Sequence, residues 1–207
     1  MGCFSEAPEE SPLAKKPRLS KREELRLARR RRRLITNVIL AGAGLLMAGG
    51  IVWFVLANRR PGEVAGERLM LDEGSAHIEL GQAATYQNTP PSSGPHFGAA
   101  TAPAGFSEEE IQPEYWVHNL EHGYIVFLYH CPQDCPDLKG RLRDLARRLP
   151  NSKYGTIKAV VTSYASPLPG EVTALAWNRQ LDRETYDEAL LTQFYERWVD
   201  RGPEDVP

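Results

Sequence analysis

Two histidines and a glutamate fall within six residues of this 207-residue chain, in the run HNLEHG at residues 118–123. On a helix, His118 and His122 stand one turn apart on one face. Two imidazoles at that spacing can bind one transition metal. Glu121 can add an oxygen ligand or act on a bound water. A tight turn can bring the same side chains together, so the helix is not required, and Gly123 is suited to end one. His77 and His96 lie upstream in loop-rich sequence, so four of the five histidines fall within 46 residues. The expected ligand set is therefore His77, His96, His118 and His122 with Glu121, and copper or zinc suits imidazole. The competing reading is a packed loop in which these histidines satisfy hydrogen bonds. HxxEH is also the inverted-zincin arrangement, which needs a further acidic ligand. Glu171, Asp182 and Glu184 are available, and nothing marks any of them.

Two other runs bear on chemistry. PPSSGPH at residues 90–96 is a stiff turn whose prolines fix φ and hold His96 in place. It is not a GxSxG elbow, so Ser92 and Ser93 read as structural residues rather than nucleophiles. CPQDCP at residues 131–136 places Cys131 and Cys135 four apart, a spacing that allows a disulfide in an oxidising compartment. A strand followed by CPxxCP and an amphipathic helix also resembles the site of Sco-type copper chaperones, which are thioredoxin-like. That resemblance implies thiol–disulfide or copper-transfer chemistry. Thiolate is a soft ligand suited to Cu(I), and a helix N-terminus lowers a thiol pKa.

The elements that must position these residues follow from periodicity. Residues 77–80 read as a short strand, and residues 86–105 as loop, because five prolines and glycines break any ladder. Residues 108–122 contain a short helix interrupted at Pro113. YIVFLY at residues 124–129 is a buried strand by its apolar run. Residues 137–149 form a helix with Leu138, Leu142, Leu145 and Leu149 at steps of three and four. TIKAVVT at 156–162 and residues 171–177 read as strands, and residues 183–199 as a final helix. This order predicts an α+β fold: a small α/β sandwich over residues 75–207, thioredoxin-like in its C-terminal half by the resemblance above.

Charge and hydropathy divide the chain. The net charge of −2 is a cancellation. Residues 1–33 carry eleven Lys/Arg against five Asp/Glu, while residues 61–207 carry twelve against twenty-two. Residues 34–57 hold no ionisable side chain in 24 positions. As a helix they span roughly 36 Å, enough to cross a hydrocarbon core of about 30 Å. The run of five arginines before it predicts a cytoplasmic N-terminus and an extracytoplasmic C-terminal domain. The expected organisation is a disordered basic tail at 1–33 (helical towards its end), a transmembrane helix at 34–57, a linker at 58–74 and an external domain at 75–207. A cleaved signal peptide fits less well, because the charged region is too long and the apolar stretch exceeds a signal core. The arginine run alone would allow nucleic acid, but the apolar stretch that follows makes anionic membrane lipid the expected partner. Overall composition, 42% hydrophobic and 25% charged, excludes wholesale disorder, collagen-like repetition and a polytopic membrane protein.

YQNTPPSSGPHFG and YWVHNLEHGYIVFLY together resemble the family called domain of unknown function 3105, over about residues 77–177. Its PPTSGPH and VHNLEHG motifs are specific as a pair. Ser92 stands where the family pattern usually shows Thr, which keeps the hydroxyl. The resemblance implies the domain boundary and the importance of His96, His118, Glu121 and His122, and implies no activity. Three function classes follow: transition-metal binding at the histidines, thiol or copper transfer at Cys131 and Cys135, and a non-enzymatic accessory subunit of a membrane complex.

Overall fold

The computed structural model describes residues 21–57 and 64–207. The expected disordered start, residues 1–20, and residues 58–63 of the expected linker lie outside the described residues. The chain divides into two compact units, residues 1–59 and 60–207.

In the first unit the described residues form one helix, α1 (Lys21–Ala57). Residues 21–33, placed above with the disordered tail, are its first turns. One stretch, Leu25–Phe54, is long and apolar enough to cross a membrane.

The second unit is an α+β domain built on a six-stranded sheet. Its strands are β1 (Glu67–Leu69), β4 (Gly105–Phe106), β5 (Ile125–Tyr129), β6 (Ala159–Ser163), β7 (Val172–Ala176) and β8 (Arg179–Arg183). The order across the sheet is β1-β8-β7-β5-β6-β4. β4, β6 and β5 run parallel, and β7, β8 and β1 add antiparallel pairs. A separate parallel pair joins β2 (His77–Ile78) to β3 (His96–Phe97). The helices are α2 (Pro113–Glu121), α3 (Pro136–Arg148) and α4 (Glu188–Trp198).

β5 reads as an unbroken apolar run because both its faces are covered. Ile125, Phe127 and Tyr129 join Leu142 and Leu145 of α3 and Phe194 of α4 in one core cluster. Val126 and Leu128 join Trp116, Val117 and Leu120 of α2 in the other. The sheet therefore lies between α2 on one side and α3 with α4 on the other. Parallel β5 and β6 need a crossover, and α3 supplies it. Pro136 sits at the first turn of α3, where its missing N–H costs nothing. Pro113 does the same for α2, so the proline expected to interrupt a helix begins one instead. Asp187 caps α4 by accepting from the Leu190 backbone N–H at 3.1 Å.

Part of the segment expected as linker belongs to this domain. β1 pairs with β8 at Glu67↔Leu181, and Val64 is buried in the α3/α4 core. Glu73 ties down the proline-rich loop: its carboxylate accepts from the backbone N–H groups of Gln87 (2.7 Å) and Asn88 (2.8 Å). Residues 179–183 form a strand that takes in Arg183, expected as the first residue of the last helix, and α4 begins at Glu188. The β7–β8 turn places Asn178 at φ 55°, a left-handed conformation that Asn tolerates. Its N–H donates to the Ser92 carbonyl at 3.1 Å, which fixes the loop ahead of His96 against the sheet.

Candidate metal centre

His96 arrives on β3, and the β2–β3 register sets it directly beside His77. Backbone bonds hold that register: the His96 N–H donates to Ala76 O at 3.0 Å, and the Gly94 N–H to Gly74 O at 2.7 Å. Gly94 takes φ 115°, which turns the chain into β3, and its α-carbon faces the Tyr86 ring. The Tyr86 hydroxyl donates to Pro95 O at 2.7 Å. Burial, then the nearby Glu114 and Glu73, push that phenol far up, so it stays a neutral donor. Gly98 passes so close to His77 that an added Cβ would lie 2.8 Å from the ring Cγ.

α2 contributes the other half. Its inner surface, Trp116, Val117 and Leu120, packs on the sheet. His118 and Glu121, three residues apart, share a face. Both are buried, as is His96, whereas His77 is half exposed. One ligand atom from each of His77, His96, His118 and Glu121 lies within 4.8 Å of all the others. The ring centroids are 4.9 Å apart for His77–His96, 5.2 Å for His96–His118 and 5.6 Å for His77–His118.

The hydrogen bonds determine which nitrogens face the centre. His96 Nδ1 is 2.8 Å from Gly94 O, and His118 Nδ1 is 3.2 Å from Ala100 O. A carbonyl only accepts, so each Nδ1 carries the proton and each Nε2 is the remaining nitrogen. Metal-binding histidines use such a bond to a carbonyl to fix tautomer and ring orientation. Asn119 secures the loop that offers Ala100: its side chain accepts from the Ala102 N–H at 2.7 Å and donates to Ala102 O at 3.1 Å.

Glu121 Oε2 is 2.9 Å from His96 Nε2 and 3.3 Å from His77 Nε2. Burial opposes ionisation of this carboxyl. Its bond to His77 and its interactions with His96 outweigh that, and hold it below the usual glutamate value. His96 thus has acceptors at both nitrogens, Gly94 O and Glu121 Oε2. A neutral imidazole has one N–H, so one contact must be met by a second proton or by a cation.

His122 does not join this group. α2 ends at Glu121, and His122 is its C-cap at φ −80°, ψ 8°. The helical step from His118 is made, since the His122 N–H donates to His118 O at 3.2 Å. Their rings touch edge to face at 4.4 Å. The His122 nitrogen instead groups with Glu121 and Glu204, and His122 Nε2 lies 3.3 Å from Glu204 Oε2. Glu204 escapes sequence reasoning, because a lone acid in a C-terminal tail carries no pattern. Gly123 follows at φ 76°, and the Asp200 N–H donates to its carbonyl at 2.9 Å.

Cys131 and Cys135 form a disulfide between β5 and α3, with Cα atoms 6.0 Å apart. Cys131 lines a cleft of about 590 Å³ with His130 and Tyr164, outside the histidine group. His130, the fifth histidine, meets Tyr164 O through Nδ1 at 2.8 Å. Ser93 is structural, its Oγ accepting from the Glu73 N–H at 2.9 Å. Ser92 is fully buried.

No curated protein and no solved structure matches the chain. A family model matches residues 77–206, past the expected limit at Trp177 and through α4 to the tail bearing Glu204. That match spans well over half of the sequence and the whole of the histidine group. The chain belongs to the family described as "Protein of unknown function (DUF3105)".

Proposed function

We propose that the domain holds one transition-metal ion, copper or zinc, between Nε2 of His96, Nε2 of His118, the His77 imidazole and the Glu121 carboxylate. The observation that carries this reading is the pair of acceptors around His96. A cation at Nε2 answers the Glu121 contact. It also gives His77 and His118 a role that an imidazolium–carboxylate pair leaves unexplained. Three nitrogens and one oxygen suit zinc or copper. The half-exposed His77 leaves the site open on one side, which suits a centre whose ion or external ligand exchanges. The basic start of α1 and its apolar continuation support anchoring by membrane lipid, with the metal domain outside the cytoplasm.

The test is metal retention by the full chain, purified in detergent, loaded with Zn²⁺ or Cu²⁺ and dialysed. The wild type retains metal, and His118→Ala loses one equivalent of it. A wild type that retains none after loading with both metals ends the reading.

The Cys131–Cys135 pair supports a second reading, thiol–disulfide exchange or copper transfer in a thioredoxin-like C-terminal half. The specific observation is its position between β5 and the first turn of α3, beside an open cleft. Its test is the reduction potential of the pair, since a value below about −300 mV marks an inert structural bond.

A further inference from the structure

Glu121 belongs to two ligand groups. Oε2 serves His77 and His96, and Oε1 is the remaining oxygen. His122 and Glu204 form the second group with the Glu121 carboxylate, again with ligand atoms within 4.8 Å of one another. We propose that Glu121 bridges two metal ions, the second held by His122 and Glu204. This rests on the single-ion reading above and extends it.

Three features of the fold build the second position. His118 and His122 stand ring against ring at 4.4 Å, so the two groups are neighbours rather than remote sites. The tail that carries Glu204 is anchored through its backbone: the Glu204 N–H donates to Glu121 O at 3.0 Å. Gly202 presses on that same carbonyl, where any Cβ would fall 1.9 Å from the oxygen. The buried Lys158 completes the anchor, donating to His122 O at 2.9 Å and pairing with Asp200 at 3.1 Å. Glu204 is thus delivered to His122 by a fixed chain path.

The two positions differ in character. The first has three imidazoles and a carboxylate, nearly all buried. The second has one imidazole and two carboxylates, with the Glu204 side chain 46% exposed. Three protein ligands leave a zinc-type ion an open position for water or an external ligand. A shared carboxylate brings two ions to about 3.5–4 Å, the separation used by paired-metal hydrolytic and phosphoryl-transfer sites. The second ion is the weaker and the more exchangeable of the two.

The experiment titrates the full chain in detergent, stripped with chelator, with Cu²⁺ alone, reading stoichiometry by calorimetry and spin by electron paramagnetic resonance. The wild type takes two equivalents in two phases. The signal rises to the first equivalent and falls on adding the second, because bridged copper ions couple. Glu204→Gln, at an exposed side chain, takes one equivalent and gives the full uncoupled signal. His122→Asn behaves alike, and metal-free melting confirms that both variants are folded. One equivalent in the wild type, unchanged by Glu204→Gln, overturns the bridge and leaves the single-ion centre standing. Two equivalents with additive, uncoupled signals also overturn the bridge. No binding at all overturns both readings together.

Discussion

His96 sits between a carbonyl and a carboxylate, and that environment decides how the other site residues should behave. Its orientation comes from Gly94, and that of His118 from Ala100, through a loop that Asn119 secures. Asn119 touches no ligand atom of the centre. Asn119→Ala should nonetheless weaken Zn²⁺ binding on the order of 10- to 100-fold, the usual cost of losing support behind a ligand, as read by competition with a chelator. Gly98→Ala should displace the His77 ring and weaken binding too, while the melting temperature of the metal-free protein barely changes. Acidity acts through His122 and Glu121. Burial, with the neighbouring His118, holds His122 below its ordinary 6.5, against the pull of Glu204 and Glu121. Glu121 lies below its ordinary 4.5. In both cases the unfolded chain binds protons at a pH where the fold still resists them. Stability therefore falls with pH, from about 6.5 downward for His122 and from about 4.5 downward for Glu121. Metal-free wild type should lose thermal stability between pH 7 and pH 5, and His122→Asn should lose less. A loss of equal size in the variant would remove His122 from that account. At this scale His96, His118 and Glu121 were legible from residue type and spacing alone. His77 was legible only as a histidine near the others, and Glu204 was not legible at all.

Elements explain what spacing could not. His118 and His122 satisfy a helical step of four, but α2 stops at Glu121 and Gly123 turns the chain at φ 76°. The step that works is the one of three, from His118 to Glu121. Any Cβ at Gly123 would lie 2.8 Å from Arg201 N and Asp200 Cα. Gly123→Ala should cost about 1–2 kcal/mol from the left-handed backbone alone, with the clash added, and should loosen the Glu204 tail. Leu142 offers the contrast. It is fully buried on the opposite side of the sheet, in the α3/α4 core. Leu142→Ala should cost about 2–5 kcal/mol in urea unfolding yet leave Zn²⁺ affinity unchanged in the folded fraction. The strongly periodic elements were legible for the same physical reason that they are stable: β5 buries both faces, and α3 shows a leucine stripe. β1 and β8 were hidden because ERL and RQLDR are polar sequences, and the partner of β1 is distant in the chain. β2, β3 and β4 have two residues each, too few to show a period. The start of the last helix was set early because RETYDEALL is helix-forming throughout, whereas pairing with β7 claims Arg183 for the sheet.

The whole molecule combines a basic, apolar N-terminal helix with an acidic α+β domain that carries the histidine group. Two regions of opposite charge are what a membrane-anchored protein needs when one end meets anionic lipid and the other does not. Thiol labelling reads the proposed orientation directly. In intact cells, an impermeant maleimide should leave all three cysteines unlabelled until an impermeant reductant opens the Cys131–Cys135 bond. Both should then react, and Cys3 should stay protected until the membrane is broken. Labelling of Cys3 in intact cells would reverse the topology. Hydropathy made the helix legible and the arginine run made an orientation legible, but neither could reveal that residues 64–74 fold into the domain. That segment lacks an apolar pattern of its own and is ordered by Glu73 and by the β1–β8 pairing. The most direct test of the central claim is X-ray absorption at the zinc edge of the full chain loaded with one equivalent of Zn²⁺. Three imidazole nitrogens and one carboxylate oxygen at about 2.0–2.2 Å are predicted. A sulfur shell near about 2.3 Å, or a shell of water oxygens without imidazole scattering, would contradict it.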